Sequence, residues 1–71
     1  MLTVSEKVRI LLDRKKMTIG ELAEKLGITR QNLSNKMTRN NFSEKDIAEL
    51  ANALNCSYEI RFVDKESKEY L

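Results

Sequence analysis

The chain has no histidine, no proline and a single cysteine among its 71 residues. Each lack closes off a class of answer. Without histidine, the side chain most used for proton transfer and metal ligation near neutral pH is missing. Cys56 has no intrachain disulfide partner, and no set of residues stands at metal-ligand spacing. No metal and no cofactor is therefore expected. Glycine occurs only at Gly20 and Gly27, so there is no glycine-rich phosphate loop. Glu21 and Glu24 lie three apart, but nothing near them in sequence would separate their pKa values as an acid–base pair requires. An enzyme is the least expected class. The longest uninterrupted aliphatic run is Ile10-Leu11-Leu12, far short of the ~20 apolar residues that cross a bilayer. With no leader-like opening either, a cytoplasmic protein with no membrane partner is the expectation. The missing prolines and scarce glycines favour helices over a turn-rich β fold. The length sets one small domain, burying only ~60% of its unfolded surface.

What is present is most concentrated between Met17 and Met37. Thr18 and Glu21 have capping-box spacing, with Met17 and Leu22 as the flanking staple. Ile19, Leu22, Ala23 and Leu26 fall on one helical face. Gly27 follows where a helix exits through a left-handed residue. Thr29 then caps a second helix, stapled by Ile28 and Leu33. From Arg30 to Met37 only Leu33 and Met37 are apolar. So narrow a stripe leaves a broad face for solvent or a polar partner. Arg30, Gln31, Asn32, Ser34, Asn35 and Lys36 carry the donors and acceptors that read base edges and phosphates.

This stretch resembles the helix-turn-helix of the phage-repressor-like (Xre/Cro) DNA-binding family. Leu22, Ala23, Leu26, Gly27, Ile28 and Leu33 carry the likeness, and Ala23 sits where the family's two helices cross. The likeness covers roughly residues 4 to 54. Lys36 departs from it, standing where the family usually has an aliphatic residue, with Met37 beside it to take over the packing. The resemblance implies that the second helix enters the major groove of double-stranded DNA. By position, Arg30, Gln31, Asn32 and Asn35 match the groove-facing sites. It also implies that the following loop, Thr38, Arg39, Asn40 and Asn41, lies along the DNA backbone. For the asparagines an ordinary turn is nearly as good a reading. Thr18, Thr29, Ser34 and Lys36 complete the backbone candidates, although capping alone would account for the two threonines.

Around the motif, three more elements are legible. Thr3 and Glu6 can box a first helix whose stripe is Val4, Val8, Leu11 and Leu12, with Ile10 turned away. Arg14, Lys15 and Lys16 close it with positive charge, better read as a solvated helix end than as a phosphate contact. Phe42 and Ile47 staple a fourth helix capped by Ser43, with Asp46 at its third position and Ile47, Leu50, Ala51 and Leu54 as its stripe. Asn55 is its expected stop. The pattern then turns to period two. Cys56, Tyr58, Ile60 and Phe62 alternate with Ser57, Glu59, Arg61 and Val63, which predicts a strand over about 58–63. A charged turn, Asp64 to Lys68, and a short return at Glu69-Tyr70-Leu71 follow. The family's usual fifth helix is not seen.

The expected architecture is thus mainly α: a four-helix repressor-like domain, helices about 4–16, 19–26, 30–37 and 44–54, ending in a β-strand or short hairpin. An unpaired strand invites a partner strand. A homodimer through Tyr58, Ile60 and Phe62 is favoured over a monomeric hairpin or a tail that orders on another protein. The net charge is only +2, but no acidic residue lies between Leu26 and Ser43, where Arg30, Lys36 and Arg39 fall. One cationic face on a near-neutral protein is the footprint of a DNA binder. Sequence-specific DNA binding by a repressor-type transcriptional regulator is the leading expectation. A protein-interaction module or antitoxin-type partner acting through the terminal strand is the alternative.

Overall fold

The computed structural model describes residues 1–71. Four helices follow one another: α1 (Val4–Lys15), α2 (Ile19–Leu26), α3 (Arg30–Arg39) and α4 (Glu44–Ala53). None is long enough or apolar enough to cross a membrane.

Each helix starts the same way. Thr3, Thr18, Thr29 and Ser43 have extended backbone, and each side-chain oxygen accepts the N–H of the third helical residue. In α1, α2 and α4 the acid at that position, Glu6, Glu21 or Asp46, accepts the N–H of the cap in return. These reciprocal bonds satisfy backbone donors that no helical carbonyl reaches.

The helices also stop the same way, and without proline. Lys16, Gly27, Asn40 and Asn55 all have positive φ, between 50° and 71°. The residue after each donates its N–H to a carbonyl five positions back: Met17 to Leu12, Ile28 to Ala23, Asn41 to Lys36 and Cys56 to Ala51, at 2.8–3.2 Å. This left-handed exit satisfies the orphan carbonyls and turns the chain back onto the core. Met17, Ile28 and Cys56 accordingly pack against the core cluster. Two expected boundaries shift for this reason. Lys16 is the left-handed exit of α1 and not its last helical residue. The segment after Met37 holds no stop before Asn40, so Thr38 and Arg39, expected in a polar turn, form the last turn of α3.

The core is Val8, Leu12, Leu22, Ala23, Leu33, Met37, Leu50 and Leu54. The second helix is its centre: α2 packs on both α3 and α4, and Leu22 and Ala23 have essentially no exposed surface. Ile47, expected in the α4 stripe, is only half-buried and lies outside this cluster. One polar residue joins the interior. The Ser5 hydroxyl donates to the Met37 carbonyl at 2.6 Å and also lies 3.1 Å from Asn40 Oδ1. The Ser5 N–H donates to the same Asn40 oxygen at 3.1 Å. The residue that ends α3 thus also caps α1, fixing the end of one helix on the start of the other.

The expected strand does not form. Between Ser57 and Arg61 no backbone hydrogen bond is made, and the only β-pairing is an isolated antiparallel bridge between Val63 and Tyr70. Phe62 and Leu71 exchange bonds at 2.9 Å on one side of it, and the Asp64 N–H reaches the Glu69 carbonyl on the other. Tyr70 and Leu71 pair with Val63 and Phe62. A strand needs a neighbour, and within one chain residues 58–61 have none.

The two ends of the glycine scale test this account of the helix exits. No atom lies within 4 Å of a side chain added at Gly27, so any penalty there is conformational. Gly27→Ala should lower the unfolding free energy by about 1–2 kcal/mol, whereas Lys16→Gly should raise it by roughly 0.5 kcal/mol. Urea denaturation of the three proteins checks both signs.

Candidate nucleic-acid interface

The interface is built outward from Gly27. Its left-handed turn swings the chain from α2 into Thr29, whose hydroxyl caps α3 through the Asn32 N–H at 3.0 Å. Leu33 and Met37 then anchor α3 on the core, at 1% and 2% exposure. Every other side chain of the helix is exposed except Ser34 and Lys36, which are half-buried.

On the outward side, Gln31 and Asn35 stand one turn apart and are joined, the Gln31 amide nitrogen donating to Asn35 Oδ1 at 3.1 Å. This bond ties the two amides together while leaving the Gln31 carbonyl and the Asn35 amide N–H groups unused. A donor and an acceptor side by side are what the edge of adenine asks for. Asn32, Asn35, Lys36 and Arg39 line an open polar depression of about 480 Å³ between α3 and the loop to α4, with Asn41, Ser43 and Asp46 on its far wall. Arg30 and Arg39 have no acidic partner. The Arg30 stem passes close to Gly20, whose added side chain would lie 3.9 Å from Arg30 Cδ and meet only ordinary contacts.

Lys36 behaves differently from what its sequence neighbourhood suggests. It lines a small cavity with Leu26, Ile28, Leu33 and Phe42, and with the acids Asp46 and Glu49. There Nζ meets Asp46 Oδ1 at 3.2 Å. The acid-free window in sequence is therefore not acid-free in space, because the capping acid of α4 folds back onto α3. The Ser43 backbone N–H first, and then the Lys36 ammonium, hold the Asp46 carboxyl below its ordinary value of 3.8.

The remaining candidates divide. Thr18 and Thr29 are exposed at helix starts, and both oxygens serve as caps. Each hydroxyl still has its proton to donate. Thr38, Arg39 and Asn41 are exposed beside the outward face of α3. Asn40 commits its side-chain oxygen to Ser5, which gives it a structural duty and leaves its amide N–H groups free. The role of Ser5 was missed in the sequence. The available signal was a serine three and seven residues before Val8 and Leu12, on the apolar stripe where no polar residue belongs.

Four capped helices, with α2 crossing under an α3 that is anchored on one side only, define a helix-turn-helix protein. The family model of the Cro/C1-type HTH DNA-binding domain matches residues 7–59, and the chain belongs to that family. No match was found among curated proteins or among solved structures.

Asp46→Asn keeps an oxygen for the Ser43 N–H but releases Lys36. An exposed pair of this kind is weak, so a phosphate can compete for the ammonium. The variant should bind any duplex more tightly, with a salt dependence steeper by about 0.9 in the log–log slope. Fluorescence anisotropy at several salt concentrations reads this out.

Proposed function

We propose that the protein is a sequence-specific binder of double-stranded DNA and a repressor-type transcriptional regulator in the cytoplasm. In this reading α3 enters the major groove. The carrying observation is the outward face of α3: Arg30, Gln31, Asn32 and Asn35 exposed on a helix whose only buried side chains are Leu33 and Met37.

Arg30, Gln31, Asn32 and Asn35 read bases in this scheme. Arginine offers a fork to guanine, and the linked Gln31–Asn35 amides offer a paired donor and acceptor to adenine. Thr18, Thr29, Ser34, Lys36, Thr38, Arg39, Asn40 and Asn41 hold the phosphates and set the register without reading sequence. Two copies joined through Tyr58, Ile60 and Phe62 present two such helices, suited to a two-fold site.

A second reading rests on Ser57–Arg61, whose backbone makes no hydrogen bond within the chain. Such an edge can accept a strand from another protein, as a protein-interaction module or antitoxin-type partner would. The two readings part on random-sequence duplex at low ionic strength, where the DNA-binding reading requires salt-sensitive association and a pure interaction module gives none.

Base readout and phosphate contact are separable by mutation. Gln31→Ala should weaken binding to a selected site by about 1–3 kcal/mol and relax the preference at one base pair. Arg39→Ala should weaken all duplexes alike and flatten the salt slope by about 0.9. Site selection from a random duplex pool, then anisotropy titrations at two salt concentrations, measures both. Unchanged selectivity after Gln31→Ala removes Gln31 from the reading set.

A further inference from the structure

The Ser5 N–H, the second of α1, has no helical carbonyl to reach, and Thr3 is already engaged with the N–H of Glu6. It donates instead to Asn40 Oδ1 at 3.1 Å, across 35 positions of sequence. The Ser5 hydroxyl strengthens the tie. It lies 3.1 Å from the same oxygen and donates at 2.6 Å to the Met37 carbonyl. That carbonyl also accepts the Asn40 backbone N–H at 3.2 Å. Ser5 therefore holds Asn40 both by its side chain and by the carbonyl that receives its main chain.

The tie decides which way the Asn40 amide faces. A backbone N–H can only donate, so the group turned to Ser5 has to be the oxygen. Both bonds that the chain makes to the Asn40 side chain go to that oxygen. The nitrogen is on the other arm of the amide, with its N–H groups unused, and Asn40 is exposed. On either side of it, Arg39 and Asn41 line the polar depression beside α3. Ser5 itself is buried.

We propose that Ser5 is a positioning residue for DNA: by holding the oxygen of Asn40, it presents the amide N–H groups to a phosphate. This rests on the DNA-binding reading above, in which Asn40 holds the backbone, and it adds the residue that aims Asn40. A free asparagine loses rotamer freedom when it binds, whereas here that freedom is already lost on folding. The contact is neutral. It releases no counterion, so its contribution is the same at every salt concentration, unlike that of Arg39. It also carries no sequence information.

Anisotropy titration of the full chain with a random-sequence duplex at two salt concentrations, beside urea denaturation, tests the proposal. Asn40→Gly keeps the left-handed exit and removes the amide. It should bind about ten-fold more weakly, the loss of one hydrogen bond to a charged group, with an unchanged salt slope. Asn40→Asp keeps an acceptor for Ser5 but turns a second acceptor toward the phosphate. It should withstand more urea than Asn40→Gly and yet bind more weakly, an inversion that a purely structural role does not give. Ser5→Ala should weaken binding about three-fold in the Asn40 chain and not at all in the Asn40→Gly chain, because Ser5 acts only through Asn40. Unchanged affinity in Ser5→Ala, or losses that add in the double variant, overturn the positioning role. Affinities that follow the urea midpoints, or an unchanged affinity in Asn40→Gly, overturn the phosphate contact while leaving DNA binding in place. An unsubstituted chain that binds no duplex overturns the DNA-binding reading itself.

Discussion

Helices of eight to twelve residues do not persist in water unaided, and this protein is made of four of them. What lets them form is the satisfaction of their ends. A hydroxyl at each start and a left-handed residue at each exit account for backbone groups that would otherwise be orphaned. The same exits do the folding. Each redirects the chain so that the next apolar residue, Met17, Ile28 or Cys56, lands against the core. The Asn40 exit goes further, since its side chain also caps α1 through Ser5. Local backbone chemistry and tertiary packing are here the same set of contacts.

That economy explains how α3 can be so polar. A recognition surface wants few apolar residues, and a short helix wants many. Two buried anchors, Leu33 and Met37, suffice because the Thr29 cap and the Asn40 exit fix the helix at both ends. Lys36 adds a third attachment without adding an apolar surface, holding Asp46 with its charge. The cost is electrostatic, since one of the three cations of this region is partly neutralised. In the reading proposed above, specific contacts through amides then matter more than bulk attraction, in keeping with a net charge of only +2.

Most of this was legible in the residues, because it is local. Ser or Thr three before an acid, a glycine after an aliphatic stripe, and apolar periodicity each depend on neighbours within a turn or two. The four helices and their caps follow from that range. What escaped depends on longer range. The Ser5–Asn40 tie spans 35 positions, and the Lys36–Asp46 pair crosses a loop, so neither leaves a periodic trace. The exit at Lys16 was missed because lysine is not a left-handed residue by preference, and only the absence of a better stop places it there. The strand over 58–63 shows a different limit. Alternation reports that a segment suits a sheet, but a sheet needs a neighbour, and residues 58–61 have none in the structure. The candidate contact residues were legible as a face of α3, while their internal bonding, Gln31 to Asn35, was not.

We infer that the outward face of α3 is the surface that meets DNA. Amide chemical-shift mapping during titration with a short random-sequence duplex at low salt tests it most directly. The largest shifts are expected at Arg30–Asn41 and at the two threonine caps, Thr18 and Thr29, with α4 and the segment Asp64–Leu71 unmoved. Shifts confined to Ser57–Val63, or none at all, would contradict it.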